Sequence, residues 1–336
     1  MSRLLDTRTH KLAERIIRSA REPRDRIASN GHRRWLDELA DGRKVLSFNT
    51  SDWDEAARAH AAGEFALAGV FHLWDRNRII YAAHPLLVAE LAHLTSTAIP
   101  GEIWTLIPHT EPLVVLPEGA ALATPDGETG RLAGFFVHGR RHDGALCAIH
   151  DPARAAIGLI FLVELRNTTE FDIVRTTVDT SRPQTLEEMV IAGLARFDTT
   201  NGPPPTDQRW TSYLRALLGT AAAILLYTCS DDRDLGPMPA PDSRRPARRA
   251  RSRGTRLALG WQLGPALHAA RQQAREQTGA PTGRRQPPHQ RGASLRTYWT
   301  GKGRRIPRLK FVKPYYVSLD LLDNPEEPPY RILRVE

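Results

Sequence analysis

Apolar positions recur at helical spacing through the first part of the chain and at strand spacing through its middle. Leu12, Ile16 and Ile17 recur at i and i+4, which predicts an N-terminal helix that Pro23 should end or bend. Trp35, Leu36 and Leu39 predict a short second helix. Ser51 followed by Asp54 has the form of a capping box, opening a long helix through Ala57, Phe65, Leu67 and Val70. Pro85 sits at a first-turn position of a further helix ending at Leu94. After Pro112 the texture turns to β, with apolar runs Leu113–Leu116, Leu132–Val137, Ala145–Ile149, Ile157–Leu165 and Ile173–Val178. Turn signals at Asp126-Gly127 and Asp143-Gly144 separate them, and the close spacing leaves no room for crossover helices, so an antiparallel meander is predicted. Its segment Ile157–Val163 reads as buried on both faces.

Thr185 with Glu188 predicts a capped helix to Phe197, and after the turn at Pro203–Pro205 a long helix should run from Asp207 to Tyr227. The longest apolar run, Ala216–Ser230, is short of the roughly 20 residues a bilayer span needs, so it reads as a core helix. Asp231–Arg256 is Asp, Pro, Ser and Arg with few apolar residues, the composition of a mobile linker. Beyond it, Leu257–Leu263 predicts a strand, Pro265–Gln277 a helix, Pro281–Gln290 a loose segment and Leu309–Leu319 a final strand. The class is α+β: a helical N-terminal half, a central antiparallel sheet, and helices with a basic C-terminal strand region joined by a disordered linker. Four regions follow: helical 1–111, sheet and core helices 112–230, basic linker 231–256, and a basic C-terminal region 257–336 packing on the body.

Charge changes this picture at one end of the chain. The 336 residues are 41% hydrophobic and 25% charged, ordinary for a folded protein, with a formal net charge of +9. From Ala240 to Lys313 there are 19 Lys and Arg against only Asp242 and Glu276, giving +17, while the remaining 28 basic and 36 acidic residues give −8. Such asymmetry favours nucleic acid, an acidic protein surface or an anionic membrane as partner, or the acidic remainder of the chain itself. Two cysteines, Cys147 and Cys229, fit neither a disulfide framework nor a structural zinc site. Met1–Lys11 is charged throughout, without the apolar core of a signal peptide, and a cytoplasmic setting is expected.

Enzyme motifs do not emerge. Gly301-Lys302-Gly303 lacks the spacing of a phosphate loop or a dinucleotide fingerprint and reads as a basic turn; GxSxG and HExxH are absent. His138, His142 and His150 with Asp143 and Asp151 are the best metal-like cluster, yet they flank turns at strand ends. Asp231, Asp232 and Asp234 read as a solvated acidic turn, and Glu187 and Glu188 as helix-start acids. No catalytic residue, metal or cofactor is assigned. The tract Pro288–Pro314 is different. It interleaves Arg291, Arg296, Lys302, Arg304, Arg305, Arg308, Lys310 and Lys313 with Tyr298, Trp299 and Phe311, pairing cations for phosphate or carboxylate with rings for bases or a peptide. Strand alternation puts Arg296 and Tyr298 on one face and Trp299 on the other, making Trp299 the structural anchor and Tyr298 the reader.

The same tract carries a resemblance. Pro288-His289-Gln290-Arg291, Tyr298-Trp299-Thr300-Gly301-Lys302-Gly303 and Pro314 resemble the C-terminal signature Pro-His-x-Arg, Tyr-Trp-x-Gly-x-Gly and Pro of the second type V-A anti-CRISPR family. Similarity extends upstream to Gly134-Phe135-Phe136 and to Leu225-Leu226-Tyr227 followed by acids. Where that family often has His-Trp-His, this chain has Ser294-Leu295-Arg296, losing a ring and gaining a cation. The resemblance implies a non-enzymatic protein of a phage or plasmid that lowers production of the type V-A effector nuclease, recognising the nascent effector during translation and causing loss of its mRNA. The partner would be the nascent effector peptide or ribosome-associated RNA, met by His289, Arg291, Arg296, Tyr298, Trp299, Lys302, Arg304 and Arg305. A general RNA- or DNA-binding regulator is the alternative, and a metal-dependent nuclease a weaker third.

Overall fold

The computed structural model describes residues 2–43, 55–124, 127, 129–165, 171–196, 198–199, 207–238, 254–269, 289–313 and 315–317. The predicted caps at Ser51 and Asp54, the turn at Pro203–Pro205, the end of a helix at Phe197, residues 239–253 of the predicted linker and 281–288 of the loose segment lie outside them.

The chain opens with α1 (Ser2–Ile27) and α2 (Arg33–Ala40). Pro23 does not end α1; it is buried inside the helix, and the break comes instead at Asn30 and Gly31, where Gly31 takes φ 83°. A left-handed residue ends helical hydrogen bonding more firmly than a proline whose lost N–H costs one bond. Helix α3 (Glu55–Asp75) leads into β1 (Ile79–Ala83), a strand within the region read as helical. After α4 (Pro85–Leu91), β2 (Thr95–Ser96) and a 3-10 turn (Gly101–Leu106) come the strands of the meander. These are β3 (Leu113–Ala123), β4 (Thr129–Arg141), β5 (Leu146–Cys147), β6 (Arg154–Leu165) and β7 (Phe171–Asp179). Helix α5 (Leu186–Leu194), β8 (Asp198–Thr199), α6 (Gln208–Cys229), β9 (Leu235–Pro237) and β10 (Thr255–Leu259) follow, then a helix α7 that covers 263–269. The last strands are β11 (His289–Arg291), β12 (Ser294–Thr300), β13 (Ile306–Val312) and β14 (Tyr315–Val317).

The fold is α+β. The main sheet has the order β8-β7-β6-β4-β3-β1-β10-β9, with β5 paired to β4. From β3 to β8 every pairing is antiparallel, and from β3 to β7 the short connections require it. Strand β1 departs from this, lying parallel to both β3 and β10. The segment between β1 and β3 holds α4 and the 3-10 turn, which is length enough for a crossover. Strands β9 and β10 also mean that the predicted linker is ordered at both ends, from Asp231 to Met238 and again from Gly254.

Period-two alternation divides the core. Phe135, Phe161 and Val163 pack with α6 on one face, while Phe136, Ile160 and Leu162 pack with α1 and α3 on the other. Strand β6 is buried continuously from Ile157 to Val163 because both faces carry helices. Helix α6 is long and apolar enough to cross a membrane, but it is mostly buried inside the protein, and Asp207 caps its start by accepting from Trp210 N–H. It forms the floor on which the C-terminal hairpin sits.

Candidate functional site

Strands β12 and β13 make a hairpin whose alternation sorts its residues. Register pairs Leu295 with Phe311, Thr297 with Leu309 and Trp299 with Pro307 on one face. Arg296 with Lys310, Tyr298 with Arg308 and Thr300 with Ile306 share the other. Leu295, Leu309 and Phe311 are buried, and the Phe311 ring meets Tyr227 of α6 edge-on at 5.1 Å. Both edges of the hairpin root are tied. Along β12, Thr97 N–H donates to Leu295 O at 3.1 Å and Thr297 N–H donates to Thr97 Oγ1 at 3.1 Å; along β13, Asp231 N–H donates to Leu309 O at 2.9 Å.

Beyond the root, the turn 301–305 projects into solvent. Gly301 and Gly303 take φ 75° and 74°, conformations that suit residues without a Cβ. Lys302, Arg304 and Arg305 are exposed on this turn, and Arg296 is exposed on the strand. None of the four has an ion-pair partner among the described residues. Trp299 is 47% exposed, so it is not the anchor predicted for it. Its face is the inner one, but the core ends at Leu309, and the last inward position before the turn has little to pack on. Phe311 takes the anchoring role. Tyr298 is 39% exposed but tethered: its hydroxyl donates to Asp231 Oδ2, which holds the phenol above its usual pKa. Arg308 reaches the same carboxylate at 3.4 Å. His289 and Arg291 lie in β11, which pairs with β14 in a separate two-stranded ladder rather than in the hairpin.

The acidic turn after α6 is more than a solvated bend. Asp231 latches the hairpin, and Asp234 Oδ2 accepts from Gln262 N–H at 2.7 Å and Leu263 N–H at 2.9 Å, capping α7. The sequence pattern does not show this, because the partners of Asp231 and Asp234 lie between 28 and 77 residues further along the chain. The histidines do not converge. His138 is buried with its ring against Gly158, His150 Nε2 bonds Ile107 O at 2.7 Å, and Asp151 pairs with Arg141 at 2.8 Å. No group of three metal-ligating side chains occurs among the described residues.

Two further features were not legible in the sequence. A cleft of about 910 Å³ opens between α4, β3, α5 and α6, lined by Val88, Leu116, Leu122, Leu186 and Val190 with Glu187 and Arg215 paired at its rim. Its lining is mostly apolar, with Glu118, Thr95 and Ser96 among its polar members. A polar knot also lies beside β1, where Tyr81 OH meets His109 Nδ1 at 2.8 Å and burial pushes the carboxyl of Glu111 up.

No curated protein matches the chain. Among solved structures it is similar to the crystal structure of AcrVA2, at 14% identity and a TM-score of 0.47, with 94% of this chain and 99% of that one covered. The model of the anti-CRISPR type V subtype A2 family matches residues 81–319, from β1 through the hairpin to the end of the basic tract. With more than two thirds of its length matched, including the whole hairpin and its latch, the chain belongs to that anti-CRISPR family.

Proposed function

We propose that this anti-CRISPR protein lowers production of a type V-A CRISPR effector by engaging the effector's nascent chain or message, acting through binding rather than catalysis. The observation that carries the reading is the hairpin end, where Lys302, Arg304 and Arg305 stand exposed near the accessible ring of Trp299, with Arg296 exposed on the opposite face and none of the four ion-paired among the described residues. Exposed Trp and Arg are the residues in which binding energy concentrates. The hairpin is rooted in the core by Leu295, Leu309 and Phe311, the last packed on Tyr227 of α6, and is latched by Asp231, so its end is presented on a fixed base. A translation-coupled role places the protein in the cytoplasm with ribosome-associated RNA within reach of the same surface.

Co-expression with a tagged type V-A effector tests this. Effector mRNA and protein should both fall relative to a strain carrying an empty vector. Unchanged levels of both, at confirmed expression of the chain, would sink the reading for that target. Equal loss of unrelated messages would favour the general RNA-binding regulator instead.

A further inference from the structure

Outside the hairpin, arginine charge in the described residues is repeatedly answered by carboxylates. Arg15 reaches Glu164 at 2.6 Å, Arg76 reaches Asp41 at 2.8 Å, Arg141 reaches Asp151 at 2.8 Å and Arg196 reaches Asp179 at 3.1 Å. Within the hairpin, only Arg308 is paired so among the described residues. From Gln277 to Leu319 the sequence holds ten Lys and Arg and no Asp or Glu, and among the described residues no carboxylate pairs with Arg296, Lys302, Arg304 or Arg305. Exposed cations with no carboxylate beside them among the described residues are free to take an external polyanion as counter-charge.

Trp299 is the second, independent observation. Its ring is 47% exposed beside the basic turn, and among the described residues it has neither a hydrogen-bond nor a ring partner. An acidic peptide would satisfy the cations but would engage the indole only where it also carried an apolar or aromatic side chain. Single-stranded nucleic acid uses both, with phosphates on the cations and an unstacked base on the ring. A duplex keeps its base faces inside the stack and offers the ring nothing comparable.

We propose that the end of the β12–β13 hairpin is a single-stranded RNA site, with Trp299 stacking on a base while Lys302, Arg304 and Arg305 hold the flanking phosphates. The choice of RNA over DNA rests on the reading above, in which the protein acts while the effector is being made. Tyr298 and Arg308 stand outside this site because Asp231 holds both.

Fluorescence anisotropy of the full-length protein with a fluorescein-labelled oligouridine tests the site. Affinity should fall steeply with salt, and replacing Lys302, Arg304 and Arg305 together by Ala should reduce the slope of log affinity against log salt by about 2. Trp299→Ala should weaken binding by about tenfold at unchanged melting temperature. Trp299→Phe should retain most of the affinity, whereas Trp299→Leu, which keeps apolar bulk without a stacking face, should behave like Ala. Wild-type affinity in the Leu variant would overturn the proposal, as would absence of oligouridine binding, tighter binding of oligothymidine, or tighter binding of a polyglutamate peptide. A chain that lowers effector mRNA yet binds no oligouridine would remove this site and leave the broader reading standing. The opposite pair of results would remove the broader reading and keep the site.

Discussion

Phe311 and Trp299 share one face of the hairpin, yet one is 2% exposed and the other 47%. Their substitution should therefore separate folding from binding. Phe311→Ala removes a buried ring packed on Tyr227 and should cost about 3 to 5 kcal/mol of stability, whereas Trp299→Ala should cost about 0.5 kcal/mol or less. Denaturant unfolding of the two variants checks this; equal losses would return Trp299 to the anchoring role. A second expectation at this scale concerns His138. Desolvation, with Arg140 nearby, holds its imidazole down to about 3 from the ordinary 6.5, and the ring stays neutral with Nδ1 donating to Gly139 O at 3.1 Å. The unfolded chain therefore takes up a proton that the folded chain refuses. Stability from this group is full above pH 6.5 and should fall by up to about 1.4 kcal/mol per pH unit as pH drops from there toward 3. His84 and His109 are lowered by burial too, so the informative quantity is the difference between wild type and His138→Gln between pH 6.5 and 5, where the variant should show the shallower decline.

At the scale of elements, the turn between α6 and β9 joins parts that the chain separates widely. Asp234→Ala removes the cap of α7 and should cost about 1 kcal/mol. Asp231→Asn loosens the exposed latch to Arg308 and Tyr298 and should change stability by less, because both partners are largely in solvent. Urea unfolding of the two variants ranks them, and a larger loss from Asp231→Asn would contradict the division of roles. The same contrast explains what the sequence could tell. The cap at Thr185–Glu188 was legible because cap and partner lie three residues apart, and the start of α6 near Asp207 was legible from the apolar run that follows it. The antiparallel run from β3 to β7 was legible from short spacing between apolar segments. Strand β1 was not, since its parallel partners lie about 30 and about 175 residues further on. Alternation also gave the correct face for Trp299 and Tyr298, but a period of two says nothing about where the core stops beneath a strand.

For the whole molecule, two helical layers sandwich the sheet, and the hairpin rides on α6 with its basic end clear of both. That arrangement lets the end be altered without touching the core. The chain with Arg296, Trp299, Lys302, Arg304 and Arg305 all changed to Ala should keep its fold and lose its action on the effector. The most direct measurement is the half-life of type V-A effector mRNA in cells expressing the wild-type chain or this variant at matched levels. A functional hairpin end predicts a shortened half-life with the wild type and a half-life equal to the empty-vector control with the variant. An mRNA shortened equally by both would contradict it and place the functional surface elsewhere on the molecule.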